Sequence, residues 1–157
     1  MQQVEKTIVI EAPREVTFAY IDNTPNLVDV WPSMLEARDF EALPNGGKRF
    51  RWVYKMAGFP FEGVSEDVEW LCNERIVSKT MEGIDSTICW QFDDEGEGTR
   101  LTLTAEYNVP MPLIGWLAET VLVMINDQEL EVMLTYLKAR VEWANKVRLK
   151  KESDSGV

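Results

Sequence analysis

Glu66, Ser78, Thr80 and Glu82 recur at alternate positions among apolar residues, so by parity they sit on the inward side of β-strands. Glu119 and Asn126 fall on the buried-looking stripe of a long helix that follows those strands. Polar groups inside a fold are costly unless hydrogen-bonded or wet. Several converging between a sheet and a helix point to a cavity. Glu66 there has two chemical uses, holding a polar part of a ligand or acting as a general acid/base with a pKa raised by apolar surroundings. The alternative is structural, either a local bulge that turns it to solvent or a buried pair with a base such as Arg38. Glu119 is favoured near a helix start by the dipole alone. Glu82 lies beside a turn, where water reaches. Asn126 lies midway along the apolar stripe.

Trp52, Tyr54, Trp90 and Tyr107 offer broad walls with polar tips, and Leu130 adds an aliphatic one. Such a stripe is equally what a plain core needs. The chain has no histidine, which excludes Ser–His–Asp and Cys–His catalysis and histidine-ligated zinc. Ser78 and Thr80 are therefore candidate hydrogen-bond donors to a ligand, not nucleophiles. Its 2 cysteines, Cys72 and Cys89, form no zinc-ligand motif, and no metal or cofactor is expected.

The elements that position these residues follow from periodicity. Gln3–Glu11 alternates as a strand, and Pro13 opens a short helix, Arg14–Ile21. A second short helical piece runs to about Val30, and Ser33–Leu43 is a second strand. Five further strands are expected at Lys48–Met56, Phe61–Leu71, Arg75–Met81, Ser86–Phe92 and Thr99–Val109. The period then changes at Pro110–Pro112, and Leu113 to about Lys146 reads as one amphipathic helix lying on the apolar face of an antiparallel sheet. The fold class is α+β in a single domain, residues 1–149, with 150–157 as a frayed, disordered tail. Short turns imply a meander, with Phe50, Trp52, Tyr54, Met56, Val64, Glu66, Val68 and Trp70 inward. In that register Arg51 faces Asp67 on the solvent side with Lys79 beside it, and Trp52 faces Glu66.

A net charge of −11, from 27 acidic and 16 basic residues, places nucleic acid far down the list of partners. The charged start, unpaired cysteines and absence of a long apolar run predict a cytoplasmic protein without a transmembrane segment.

The order strand, two short helices, six strands and long terminal helix resembles the START-like, polyketide cyclase/dehydrase (SRPBCC) superfamily. Ile8–Val9–Ile10–Glu11–Ala12–Pro13–Arg14–Glu15–Val16 is similar to its opening strand and helix entry, and Trp31–Pro32 to its tryptophan after the second helix. Gly98–Thr99–Arg100–Leu101–Thr102–Leu103 is similar to its last strand. The resemblance implies a helix-grip fold, a seven-stranded sheet wrapped around the terminal helix. It also implies binding or transport of a hydrophobic small molecule, such as a lipid, quinone or polyketide-like compound. The residues expected to line that cavity are Trp52, Tyr54, Glu66, Ser78, Thr80, Trp90, Tyr107, Asn126 and Leu130. Two alternatives stand beside it: a cyclase or dehydratase using Glu66, and a protein-interaction or chaperone-assisting module. Residues 113–125, apolar nearly all round, are a candidate homodimer surface.

Overall fold

The computed structural model describes residues 1–110, 113 and 119–156, with residues 119 and 120 in backbone only. β1 (Gln2–Ile10) leads into α1 (Arg14–Asp22) and α2 (Pro25–Val30). Then come β2 (Met34–Ala42), β3 (Lys48–Met56), β4 (Phe59–Leu71), β5 (Arg75–Glu82), β6 (Ser86–Glu95) and β7 (Gly98–Tyr107). A helix, α3 (Glu119–Ser155), closes the chain. The strands form one sheet in the order β1-β7-β6-β5-β4-β3-β2, antiparallel throughout. This is the seven-stranded, helix-gripping arrangement expected.

The opening motif has a physical role. The Pro13 carbonyl accepts from the N–H groups of Val16 and Thr17, starting α1. The Thr17 hydroxyl, fully buried, donates to Thr99 Oγ1 at 3.2 Å, and Thr99 donates to the Ala12 carbonyl at 2.8 Å. Three distant pieces of chain are thereby tied together beneath the sheet's end.

Along α3, Leu122, Leu130, Met133, Leu134, Leu137 and Val141 are buried and join Phe92, Leu101 and Leu103 in one core. The helix edge is clamped to β1, where Lys6 Nζ contacts Asp127 and Glu131 at 2.9 Å each. Lys138 donates to the Val9 carbonyl at 2.8 Å, and the Glu11 N–H donates to Glu142 at 3.0 Å. Residues 150–155, read from sequence as a frayed tail, continue the helix. Lys150, Lys151 and Glu152 are good helix formers, and Arg148 and Glu152 make an i,i+4 pair at 2.8 Å.

The register between β3 and β4 departs from expectation. The turn is only Ala57–Gly58, both at positive φ (50° and 85°), and Met56 pairs directly with Phe59. Two left-handed residues make the hairpin turn that matches strand twist. Pro60 is accommodated because β5 pairs with β4 only from Val64 onward. Relative to a four-residue turn, the pairing slips by three, an odd number that exchanges the faces of β4. Arg49, not Trp52, is opposite Glu66, and Arg51 is opposite Val64, not Asp67. Gly63, Ser65 and Asp67 face inward instead. An irregularity between Asp67 and Glu69 restores the original parity, so Trp70 pairs with Ile76 as an inward residue while Val68 is exposed.

Candidate functional site

A cavity of about 120 Å³ lies between the inner face of the sheet, the end of α2 and α3. Its walls come from Phe50, Trp52, Tyr54 and Met56 on β3, Ile88 and Trp90 on β6, and Ala105 and Tyr107 on β7. Leu27 and Trp31 close one side, and Asn126 and Leu130 close the helix side. Seven of the residues expected at the site therefore line it: Trp52, Tyr54, Ser78, Trp90, Tyr107, Asn126 and Leu130.

The polar groups around this space are mostly held by one another. Asn126 Nδ2 donates to the Tyr107 hydroxyl at 3.1 Å, so the asparagine on the apolar stripe has a protein partner. Trp52 Nε1 donates to Ser65 Oγ at 2.9 Å. That indole lies across Gly63, where an added Cβ would come within 2.1 Å of the ring. Trp31 and Tyr54 meet edge to face at 5.8 Å. Burial pushes the Tyr54 phenol well above its ordinary range and the Glu129 carboxylate adds to this, with the Trp31 and Ser33 side chains acting the other way. The Trp31 N–H lies close enough to the phenol to act on it, yet has no partner of hydrogen-bond geometry among the described residues and is sealed from solvent. Tyr54 is thus a neutral donor at neutral pH.

Two expected residues are elsewhere. Glu66 lies on the outer face, with Oε1 2.6 Å from Arg49 Nη1 and Lys79 as its β5 neighbour, because the short turn reversed β4. It faces outward as in the first structural alternative, but through the turn and not a bulge, and its basic partner is Arg49, not Arg38. Arg38 is half exposed and contacts Glu36 at 3.0 Å and Asp39 at 3.8 Å. Thr80 stands one layer back, its hydroxyl 2.7 Å from Ser86 Oγ, and Ser86 is the one that lines the cavity. Glu82 is exposed at the strand end. The side chain of Glu119 lies outside the described residues.

The carboxyl that sequence parity put on the surface is the one enclosed. Asp67 is 3% exposed; Ser78 Oγ donates to its Oδ1 at 2.5 Å and the Lys48 N–H to its Oδ2 at 3.0 Å. Burial raises its pKa, opposed by those two donors and by the Lys48 charge. Next to it, Lys48 Nζ donates to the carbonyl and Oδ1 of Asp22, and Trp70 Nε1 donates to the same Oδ1 at 2.9 Å. Finding Ser65 and Asp67 from sequence required the turn length. Trp31 and Phe50 were visible as a motif and an inward aromatic without being assigned to the site.

With the fold and the cavity in view, the comparisons decide the family. Residues 1–142 match the family described as polyketide cyclase/dehydrase and lipid transport. The chain belongs to this family. Among solved structures it is similar to a protein from Thermus thermophilus, at 28% identity and TM-score 0.72, covering 91% of this chain and 99% of that one. A START superfamily protein from Mycobacterium smegmatis superposes at TM-score 0.77 with 16% identity, covering 90% and 98%. The Zhui aromatase/cyclase from a Streptomyces species shares the fold at TM-score 0.72 and 15% identity, covering 90% and 93%. No curated protein matches the chain. Among the described residues, no cluster of three metal-ligating side chains occurs and no helix is long and apolar enough to cross a membrane.

Proposed function

We propose that this member of the family binds a small, mostly apolar molecule between the sheet and α3. The observation that carries the reading is a space of about 120 Å³ walled by Trp52, Trp90, Phe50, Tyr54 and Leu130. At about 24 cal/mol per Å³, leaving such a space unfilled costs about 3 kcal/mol, which an apolar guest recovers as contacts. The Tyr54 hydroxyl and the Tyr107–Asn126 pair orient the guest, and Thr80 acts through Ser86. The lipid transport in the family's description is consistent with such a guest. Native mass spectrometry of the purified protein, with extraction of whatever accompanies it, tests the reading. Ala105→Phe projects a ring into the space and should abolish retention of the guest while the protein stays folded. Retention undiminished in that variant would place the guest elsewhere.

The cyclase or dehydratase alternative loses Glu66 as its acid; Asp67, hydrogen-bonded to the cavity-lining Ser78, is a candidate carboxyl for that chemistry. Turnover lost with binding kept in Asp67→Asn would favour it. Self-association has an observation of its own. Val121, Ile125, Val132, Tyr136 and Trp143 are exposed and recur every four or seven residues, a stripe along the outer side of α3. From Glu119 to Leu137 the helix has four acidic residues and no base; from Lys138 to Lys151 it has six bases and one acid. A second copy packed antiparallel sets each acidic half against the other's basic half. Of the expected surface at 113–125, most lies outside the described residues. Sedimentation of the wild type and of Trp143→Glu tests this: a dimer in the first and a monomer in the second.

A further inference from the structure

The apolar cavity adjoins a much smaller alcove of about 30 Å³, in which Asp22, Thr24, Lys48, Asp67 and Ser78 are set among Ile21, Ile76 and other apolar side chains. Ser78, Phe50, Trp90 and Leu27 border both spaces, so the two adjoin along these side chains. The alcove is built from buried groups. Thr24 is 5% exposed and Asp67 3%. The Thr24 hydroxyl caps no helix and has no hydrogen-bond partner among the described residues. Asp67 uses one acceptor position on each oxygen, for Ser78 and for the Lys48 N–H, leaving further lone pairs. Asp22 already receives Trp70 and Lys48.

An alcove rich in acceptors, with an unpartnered hydroxyl, calls for a donor. Its size limits that donor, since the space is about 30 Å³ against about 120 Å³ for the neighbouring cavity, room for water-sized groups only. A single hydroxyl fits this space; a bulky charged headgroup does not. Charge sets the sign. Two carboxylates and one ammonium leave the alcove a formal −1, in surroundings where charges are poorly screened, so an anionic tip is disfavoured.

We infer that the ligand carries a neutral hydroxyl at one end of an apolar body, the hydroxyl seated between Asp67 and Thr24 and the body in the aromatic cavity. This rests on the reading of the cavity as a binding site and adds which ligands it selects. A phenol or an alcohol satisfies it; the corresponding carboxylate and the corresponding hydrocarbon do not.

The test uses three ring compounds of nearly equal size: 4-ethylphenol, 4-ethyltoluene and 4-ethylbenzoate, titrated calorimetrically at neutral pH into the full chain. The phenol is expected to bind about ten-fold more tightly than the hydrocarbon, and the benzoate more weakly than either. Thr24→Val should cut the advantage of the phenol over the hydrocarbon several-fold, and Asp67→Asn should narrow the gap between phenol and benzoate. Should Asp67→Asn fail to fold, the wild-type ranking and Thr24→Val still decide. Equal binding of phenol and hydrocarbon, or a preference for benzoate, overturns the inference while the apolar cavity stands as a site. Failure of all three to bind removes the cavity reading itself, and this inference with it.

Discussion

Gly63 shows how a single residue shapes this cavity. It sits opposite Trp52 on the inward face of β4, and a methyl group there would meet the indole at 2.1 Å and the Glu82 carbonyl at 2.4 Å. The ring can lie flat across the strand, with its N–H on Ser65, only because there is no side chain beneath it. Gly63→Ala is expected to cost about 1–3 kcal/mol in urea denaturation, since backbone as well as ring must move. It should also weaken binding of an apolar probe by displacing a wall. Asp67 gives a prediction of opposite character. Its folded pKa is raised chiefly by burial, so folding disfavours the ionised form relative to the unfolded chain. A carboxyl with a raised folded pKa lowers stability above that pKa, and the penalty fades as pH falls through it toward the unfolded value. Asp67→Asn removes the titration but keeps most of the shape. The stability difference, variant minus wild type, should therefore be more favourable to the variant at pH 7 than at pH 4. A difference independent of pH would mean that Asp67 does not titrate differently on folding.

At the scale of elements, alternation and turn residues made most of the sheet legible. Phe50, Trp52, Tyr54 and Met56 face inward as expected, as do Ile76 and Ser78, Ile88 and Trp90, and Leu101, Leu103, Ala105 and Tyr107. The exchange of faces occurred in β4, for a physical reason. Val64, Glu66, Val68 and Trp70 alternate as if on one face, but a two-residue turn and a bulge place Glu66 outside and Trp70 inside. Hydropathy also favours the wrong parity there, because the inward residues Gly63, Ser65 and Asp67 are small or polar. They are inward because each has a particular partner, and partners across a sheet are invisible until the register is known. Glu66→Leu separates the two registers cleanly. With Glu66 partly exposed on the outer face against Arg49, its loss should change stability by less than about 1 kcal/mol and leave apolar-probe affinity unchanged. A clear drop in affinity would restore Glu66 to the cavity.

The whole molecule uses α3 twice. One side carries Leu130, Met133, Leu137 and Val141 into the core and presents Asn126 and Leu130 to the cavity. The other carries Tyr136 (52% exposed) and Trp143 (67% exposed) on the outside. An exposed tryptophan on an acidic, well-charged chain is surface that gains by being covered. The net charge of −11 opposes association of two copies, so the acidic and basic halves of the helix matter for orientation more than for strength. The two faces are separated by the width of the helix and share no side chain, and sites without shared partners act additively. Trp143→Glu should therefore abolish self-association, shifting sedimentation to the monomer, while changing the affinity for an apolar probe by less than about two-fold. If affinity fell together with the dimer, α3 would be transmitting association to the cavity, and the faces would not be independent.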